Sequence, residues 1–188
     1  MMNEVELIKY LRRIFQKPSY LKTWLNDDCE ILELEGLRNL LLITVDTSSE
    51  GIDFPADAPE FLIGYFCASL GLSDIAACGG VPLGILSSVC IPPKTEVLKI
   101  YDGIKSAIND AKTYLIGGDT NSSFELSISI VGIGMVEKEH IMRRQTAKVG
   151  DLVGVTGELD RFNSGFLSGS NNTRDIDTFK KCWPRNLQ

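Results

Sequence analysis

From Pro59 to the pair Gly79-Gly80 the chain is apolar at almost every position, with Glu60 near its start and Asp74 near its end as the only charges. Proline suits the first turn of a helix, where its missing N–H costs nothing, and glycine suits the turn that ends one. Residues 59–78 are therefore predicted to form a buried helix. A second helix is predicted over residues 95–111, with Val97, Leu98, Ile100, Ile104 and Ile108 on one broad face. An amphipathic helix is predicted over residues 3–16, where Val5, Leu7, Ile8, Leu11 and Ile14 recur at three- and four-residue steps and Pro18 follows.

Strands fill the gaps between these helices. Residues 30–34 and 40–45 read as strands, the second buried and ending in the polar turn 46–51. Residues 83–91 form a strand closed by Pro92-Pro93. A short strand over 114–116 leads straight into a turn, Gly117-Gly118-Asp119-Thr120. In the longer strand 126–136, Leu126, Ile128 and Ile130 face one way and Val131 and Ile133 the other. Two apolar faces imply cover on both sides, the second supplied by a partner subunit. The order α-β-β-α-β-α-β-β gives an α+β, or mixed α/β, fold. Residues 148–151 read as a joint, with a further strand over 152–156 and a polar, turn-rich segment over 168–174.

Length and composition narrow the class of function. A chain of 188 residues accommodates one domain plus the beginning of a second, and 44% apolar residues suffice for a core. A net charge of −6 argues against nucleic acid as a partner, although not against an anionic substrate met through bound cations. The five cysteines form no C-x-x-C pair, which favours a reducing compartment over a disulfide framework. Residues 1–17 have no signal-peptide pattern, and the apolar run 61–73 is too short to span a bilayer. These features predict a cytoplasmic protein with no membrane partner.

Absent motifs matter as much. The chain contains neither the G-x-x-x-x-G-K-[ST] phosphate loop nor the G-x-G-x-x-G dinucleotide fingerprint. Its single histidine, His140, follows Glu137-Lys138-Glu139 in what reads as a solvated turn, so a Ser-His-Asp triad or a zinc centre has little to stand on. What remains is a series of aspartates at element ends: Asp27 and Asp28 before a strand, Asp46 at the end of one, and Asp119 after two glycines. Carboxylates converging from several element ends would hold Mg²⁺, which takes oxygen ligands and retains waters or phosphates as the rest. Taken singly, each has a plainer reading. Asp27 and Asp28 could form an Asx turn, and Asp46 and Asp119 could cap loops. Asp74 is harder to dismiss, because an ionised carboxylate on an apolar helix is costly unless paired, cation-bound or turned to solvent near the helix end. Gly117-Gly118 permits close backbone approach to a ligand, and Arg143-Arg144 could clasp phosphate or merely form a basic turn.

Five segments, in order, carry a family resemblance: Asn26-Asp27-Asp28-Cys29, T-V-D-T-S-S-E-G-I-D-F over residues 44–54, L-S-D-I-A-A-C-G-G-V-P over 72–82, Gly117-Gly118-Asp119-Thr120, and R-Q-T-A-K-V-G-D over 144–151. Together they resemble the thiamine-monophosphate kinase family, within the larger superfamily of aminoimidazole-ribotide-synthetase-like proteins. The similarity spans about residues 20–157, and the L-S-D-I-A-A and G-G-D-T segments in that order are its most specific part. The resemblance implies Mg²⁺ ligands at Asp28, Asp46, Asp74 and Asp119, with Asp27 and Thr44 beside them. It implies ATP contacts at Gly118, Asp119 and Arg144, and a substrate contact at position 53.

It further implies a dimer whose sheets complete a barrel across the two-fold, and transfer of the γ-phosphoryl of ATP to thiamine monophosphate. No protein nucleophile is expected. Residues 1–148 would be a nucleotide- and metal-binding dimerisation domain, and 149–188 the beginning of a second domain cut short. Three positions depart from the family pattern: Asp53 replaces a histidine, Asn26 replaces a glycine, and Arg161 stands where a metal-binding aspartate belongs, with Asp160 one position earlier. These departures keep two alternatives open. One is another ATP-using member of the superfamily, acting on a purine precursor, a selenium donor or a maturation protein. The other is a non-catalytic nucleotide-binding dimer.

Overall fold

The structure, a computed structural model, describes residues 3–154. The elements follow in the order expected: α1 (Glu4–Ile14), β1 (Glu30–Leu32), β2 (Leu40–Ser49), α2 (Glu60–Ala77), β3 (Val81–Ile91), α3 (Val97–Asp110), β4 (Leu115–Ser122) and β5 (Ser127–Val136). The five strands make one mixed sheet in the order β1-β2-β5-β3-β4. All pairings are antiparallel except β3 with β4, which run parallel, as strands joined by a crossover helix must. That crossover is α3.

The apolar helix α2 lies on one face of the sheet, against β2, β3 and β5, and α3 packs on α2. Leu72, Ala68 and Ile63 of α2 share a core with Ile100 and Ile104 of α3 and with Ile85, Val89, Ile128 and Ile130 of the sheet. This layering explains the sequence of α2, which touches apolar neighbours on both sides and is apolar nearly all round. At 18 residues and a mean hydropathy of 1.3, α2 is longer than the apolar run 61–73 and meets the length and composition of a membrane span. Half of that span is buried between sheet and α3, the position of a core helix. A smaller core of Cys29, Ile31, Leu40, Leu42, Ile75, Cys78 and Val136 joins β1 to the C-terminal end of α2.

Alternation along β5 holds as predicted: Ile128 and Ile130 are wholly buried toward the helices, while Val131, Ile133 and Met135 face the other side and are only half-buried. With Ile43, Leu86 and the exposed Val45 and Val81 they form an apolar open face.

Three predicted boundaries are corrected. Strand β2 does not stop before a turn at residue 46 but continues through Ser49, because Asp46, Thr47, Ser48 and Ser49 pair with Ile130, Ser129, Ile128 and Ser127 of β5. The G-G-D-T segment is not a turn either: Gly117, Gly118, Asp119 and Thr120 lie inside β4, in register with Leu86, Ser87, Ser88 and Val89. Gly118 is required there by close approach, since a Cβ at that position would stand 2.1 Å from the Ser87 carbonyl oxygen. Residues 152–154 form no strand, and the remainder of that predicted strand, with the turn-rich segment, Asp160, Arg161 and Cys182, lies outside the described residues.

Candidate metal and nucleotide site

Two aspartates pair where β2 and the C-terminal half of α2 come together, and a third stands nearby in the loop before β1. Asp46 points from β2 toward the helices, its side chain on the same face as Thr44 and Ser48. Asp74 approaches from α2, and its Oδ2 accepts a 2.6 Å hydrogen bond from the buried Thr44 hydroxyl. The α2 backbone thus brings its one interior carboxylate over the strand that carries Asp46. Asp28 completes the group from the loop below, within electrostatic reach of both.

The charges in this group are poorly balanced. Burial raises the Asp46 carboxyl above its ordinary value, the Asp28 charge adds to the rise, and a hydrogen bond to Asp74 works against it. Burial likewise raises Asp74; the Thr44 hydrogen bond lowers it, and the charges of Asp46 and Asp28 raise it again. The counter-cation is Arg144, whose guanidinium donates to Asp28 Oδ1 through both Nε (3.1 Å) and Nη2. One guanidinium among these carboxylates leaves a net negative, half-buried site, the electrostatic signature of a cation-binding position.

The loop holding Asp28 is built tightly. Asp27 Oδ1 accepts from the Asp28 amide at 3.1 Å and, at 3.4 Å, from the Arg144 amide, so Asp27 shapes the loop as an Asx-type acceptor. Glu30 takes the Leu25 amide on Oε1 (2.5 Å) and the Thr23 hydroxyl on Oε2 (3.1 Å), and Thr23 Oγ1 in turn accepts from Ile31 N. Sequence reasoning missed Glu30 and Thr23, which read only as strand and pre-strand residues. Nothing in their local pattern marks a carboxylate that serves backbone rather than metal.

Two predicted residues stand elsewhere. Asp119 lies in the cross-strand row Thr47, Ser129, Ser88, Asp119, on the open face of the sheet and opposite to Asp46. The 2.8 Å contact between the hydroxyls of Thr47 and Ser129 marks that face, and Asp119 Oδ2 accepts from Asn121 Nδ2 at 2.6 Å. Within one chain, then, Asp119 does not join the Asp28, Asp46 and Asp74 group, and Gly118, in the cross-strand row of Asp46, Ile130 and Ser87, is separated from Asp46 by β5 and β3. Asp53 closes the turn after β2, accepting the Ser49 amide at 2.8 Å. His140 is exposed beside Glu137, as its solvated reading predicts.

The donor set suits magnesium better than a metal with a closed protein shell. Among the described residues no three His, Cys, Asp or Glu side chains form one coordination sphere. Mg²⁺ is ordinarily held by one or two carboxylates, with waters and phosphate oxygens completing its octahedron. The paired Asp46 and Asp74, with Asp28 nearby, match that habit.

Comparison with known proteins gives this geometry its context. The description "AIR synthase related protein, N-terminal domain" matches residues 26–136, more than half of the chain. The thiamine-monophosphate kinase of Methanospirillum hungatei JF-1 is 32% identical over 151 residues, covering 80% of this chain and 52% of the relative. That of Synechococcus elongatus is 34% identical over 149 residues, covering 76% and 45%. The chain thus spans about half the length of the curated relatives it matches. A solved structure of AaThiL complexed with AMPPCP and TMP superposes with a TM-score of 0.78 at 24% identity, covering 97% of this chain and 59% of that one, a likeness of fold. With the match running unbroken from the acidic loop to the end of β5, this chain belongs to the AIR-synthase-related family and carries that family's N-terminal domain.

Proposed function

We propose that this chain is the nucleotide- and metal-binding part of an ATP-dependent kinase that converts thiamine monophosphate to thiamine diphosphate in the cytoplasm. The observation that carries the reading is the convergence of Asp46, Asp74 and Asp28 from three separate elements into one half-buried, under-neutralised group. The relatives named thiamine-monophosphate kinase supply the substrate. Residues 1–148 are read as the working domain and 149–188 as the start of a second one.

In this reading Asp28, Asp46 and Asp74 hold Mg²⁺, with Thr44 fixing the Asp74 carboxylate and Asp27 the loop. Bound Mg²⁺ supplies neutralisation of the phosphates and of charge on the leaving oxygen. Arg144 offers a planar fork of donors to phosphate oxygens. A phosphate oxygen of thiamine monophosphate attacks the γ-phosphorus, the bond from that phosphorus to the β,γ-bridging oxygen breaks, and ADP leaves. No side chain forms a covalent intermediate; the protein positions two anions that would otherwise repel. Asp53 is assigned to the substrate side, where an acidic group in place of histidine would favour the cationic thiazolium end.

Asp119 faces away from the other three aspartates, Gly118 lies on β4 with β3 and β5 between it and Asp46, and a second copy gives both a role. A homodimer pairing the open faces would bury Val45, Val131, Ile133 and Met135, close a barrel, and put the G-G-D-T strand at the subunit boundary for nucleotide contact. Val131→Lys places a charge at the centre of that face and should convert a dimer to a monomer in sedimentation velocity, with circular dichroism unchanged. A wild-type monomer at micromolar concentration rejects this assembly.

The activity itself is tested by incubating the chain with Mg²⁺, ATP and thiamine monophosphate and measuring thiamine diphosphate. Product supports the kinase. Binding of Mg-ATP by calorimetry with no product reduces the assignment to a nucleotide-binding dimer, and binding of neither removes it.

A further inference from the structure

We infer that Arg12 of α1 is a positioning residue for the acidic loop, an inference that rests on reading Asp28 as a metal ligand. Helix α1 buries no residue of its own. Yet from its last turn the Arg12 guanidinium reaches across to the chain ahead of Asp27 and Asp28. Its Nε and Nη2 donate to the Trp24 carbonyl at 3.0 and 2.7 Å, and Nη2 also donates to the Leu25 carbonyl at 2.6 Å. A planar fork clamping two consecutive carbonyls fixes the orientation of both peptide groups, which a single ammonium cannot do.

The segment being clamped is strained. Leu25 has φ of +52°, a left-handed conformation that a leucine avoids because its Cβ crowds the backbone. Such a conformation persists only where the surroundings over-determine it. Here the amides are held as firmly as the carbonyls: Asn26 Oδ1 accepts from Trp24 N at 2.8 Å, and Glu30 Oε1 accepts from Leu25 N at 2.5 Å. Arg12 is the member of this set contributed by a distant element, α1. Asn26, Asp27 and Asp28 follow directly, so the angle at which the loop enters the site is set where Arg12 grips it. The three hydrogen bonds thus act on the carboxylates through the backbone; among the described residues Arg12 forms no ion pair with a carboxylate.

The experiment uses the full 188-residue chain and two readouts, Mn²⁺ binding by electron paramagnetic resonance and amide hydrogen exchange without metal. Arg12→Ala should speed exchange at residues 24–29 about tenfold and weaken Mn²⁺ binding by roughly tenfold, the scale expected when an outer-shell support is lost. Arg12→Lys should recover only part of either. The melting temperature should hardly move, because α1 adds nothing to the core, and that separates positioning from general destabilisation. Wild-type exchange and wild-type affinity in Arg12→Ala overturn the inference. Faster exchange in a chain that binds no Mn²⁺ upholds the grip of Arg12 on the loop and removes the metal reading of the aspartates instead.

Discussion

Asp74→Asn is expected to weaken divalent-cation binding by roughly 100-fold or more, beyond what losing an outer-shell partner costs, while making the metal-free chain more stable. Both effects come from one cause. Asp74 and Asp46 are half-buried beside each other and near Asp28, with Arg144 engaged on Asp28 rather than on them. Without a cation, folding brings like charges together and strips water from them; the neutral amide escapes both costs and still offers an oxygen to the Thr44 hydroxyl. Discounted for solvent screening of a half-exposed group, the gain is about 0.5–1 kcal/mol. Asp46→Asn should behave alike.

The pH dependence follows with its sign. A carboxyl whose folded value lies above its unfolded one binds protons more readily in the native state, so acidification through the interval between the two stabilises the metal-free fold. Over the same interval protons compete with the metal, so Mn²⁺ affinity should fall as pH drops below the raised values of Asp46 and Asp74. Thermal melting and Mn²⁺ titration from pH 7 to pH 4.5 would read both slopes. Equal loss of stability in both aspartate variants would mean that these carboxylates serve the fold.

Much of this arrangement was legible in the sequence. All eight elements and their order follow from periodicity and from proline and glycine punctuation, because α2, α3 and β5 are long and strongly patterned. That Asp74 needs a partner was legible too, since a lone charge in an apolar helix is costly, and the Thr44 hydroxyl supplies one. The extent of β2 and the strand character of G-G-D-T were not. Asp46, Thr47 and Asp119 carry turn chemistry locally, and only pairing with β5 and β3 overrides it. Nor could spacing show that Asp119 faces away from its fellow aspartates. Facing in a sheet depends on register, and a shift of one residue reverses it.

The helix layer above the site should be the least forgiving part of the molecule, and Gly103→Ala should show it. A Cβ at Gly103 would lie 2.0 Å from the Phe61 carbonyl oxygen and 2.7 Å from the Tyr65 amide nitrogen, and one at Gly64 would lie 1.9 Å from the Ile100 carbonyl oxygen. At this crossing α2 and α3 touch backbone to backbone, each glycine seated against the other helix. Neither backbone can swing aside as a flexible side chain would, so the axes must part by more than an ångström, which loosens the packing of Ile100 and Ile104 against Tyr65 and Ala68. Overpacking of this kind costs about 3 kcal/mol or more, only partly offset by the gain of about 1 kcal/mol in helix propensity. Gly64→Ala should cost a similar amount. Because both substitutions open the same crossing, the double variant should lose clearly less than the sum of the two. Gly36→Ala is the informative control: its φ is +83° with no atom within 4 Å, so it should cost only the conformational strain of about 1 kcal/mol. Urea unfolding followed by circular dichroism would rank the four variants. A Gly103→Ala chain as stable as Gly36→Ala would mean that the helices cross further apart than these contacts require, and that α2 holds Asp74 over β2 by its sheet contacts alone.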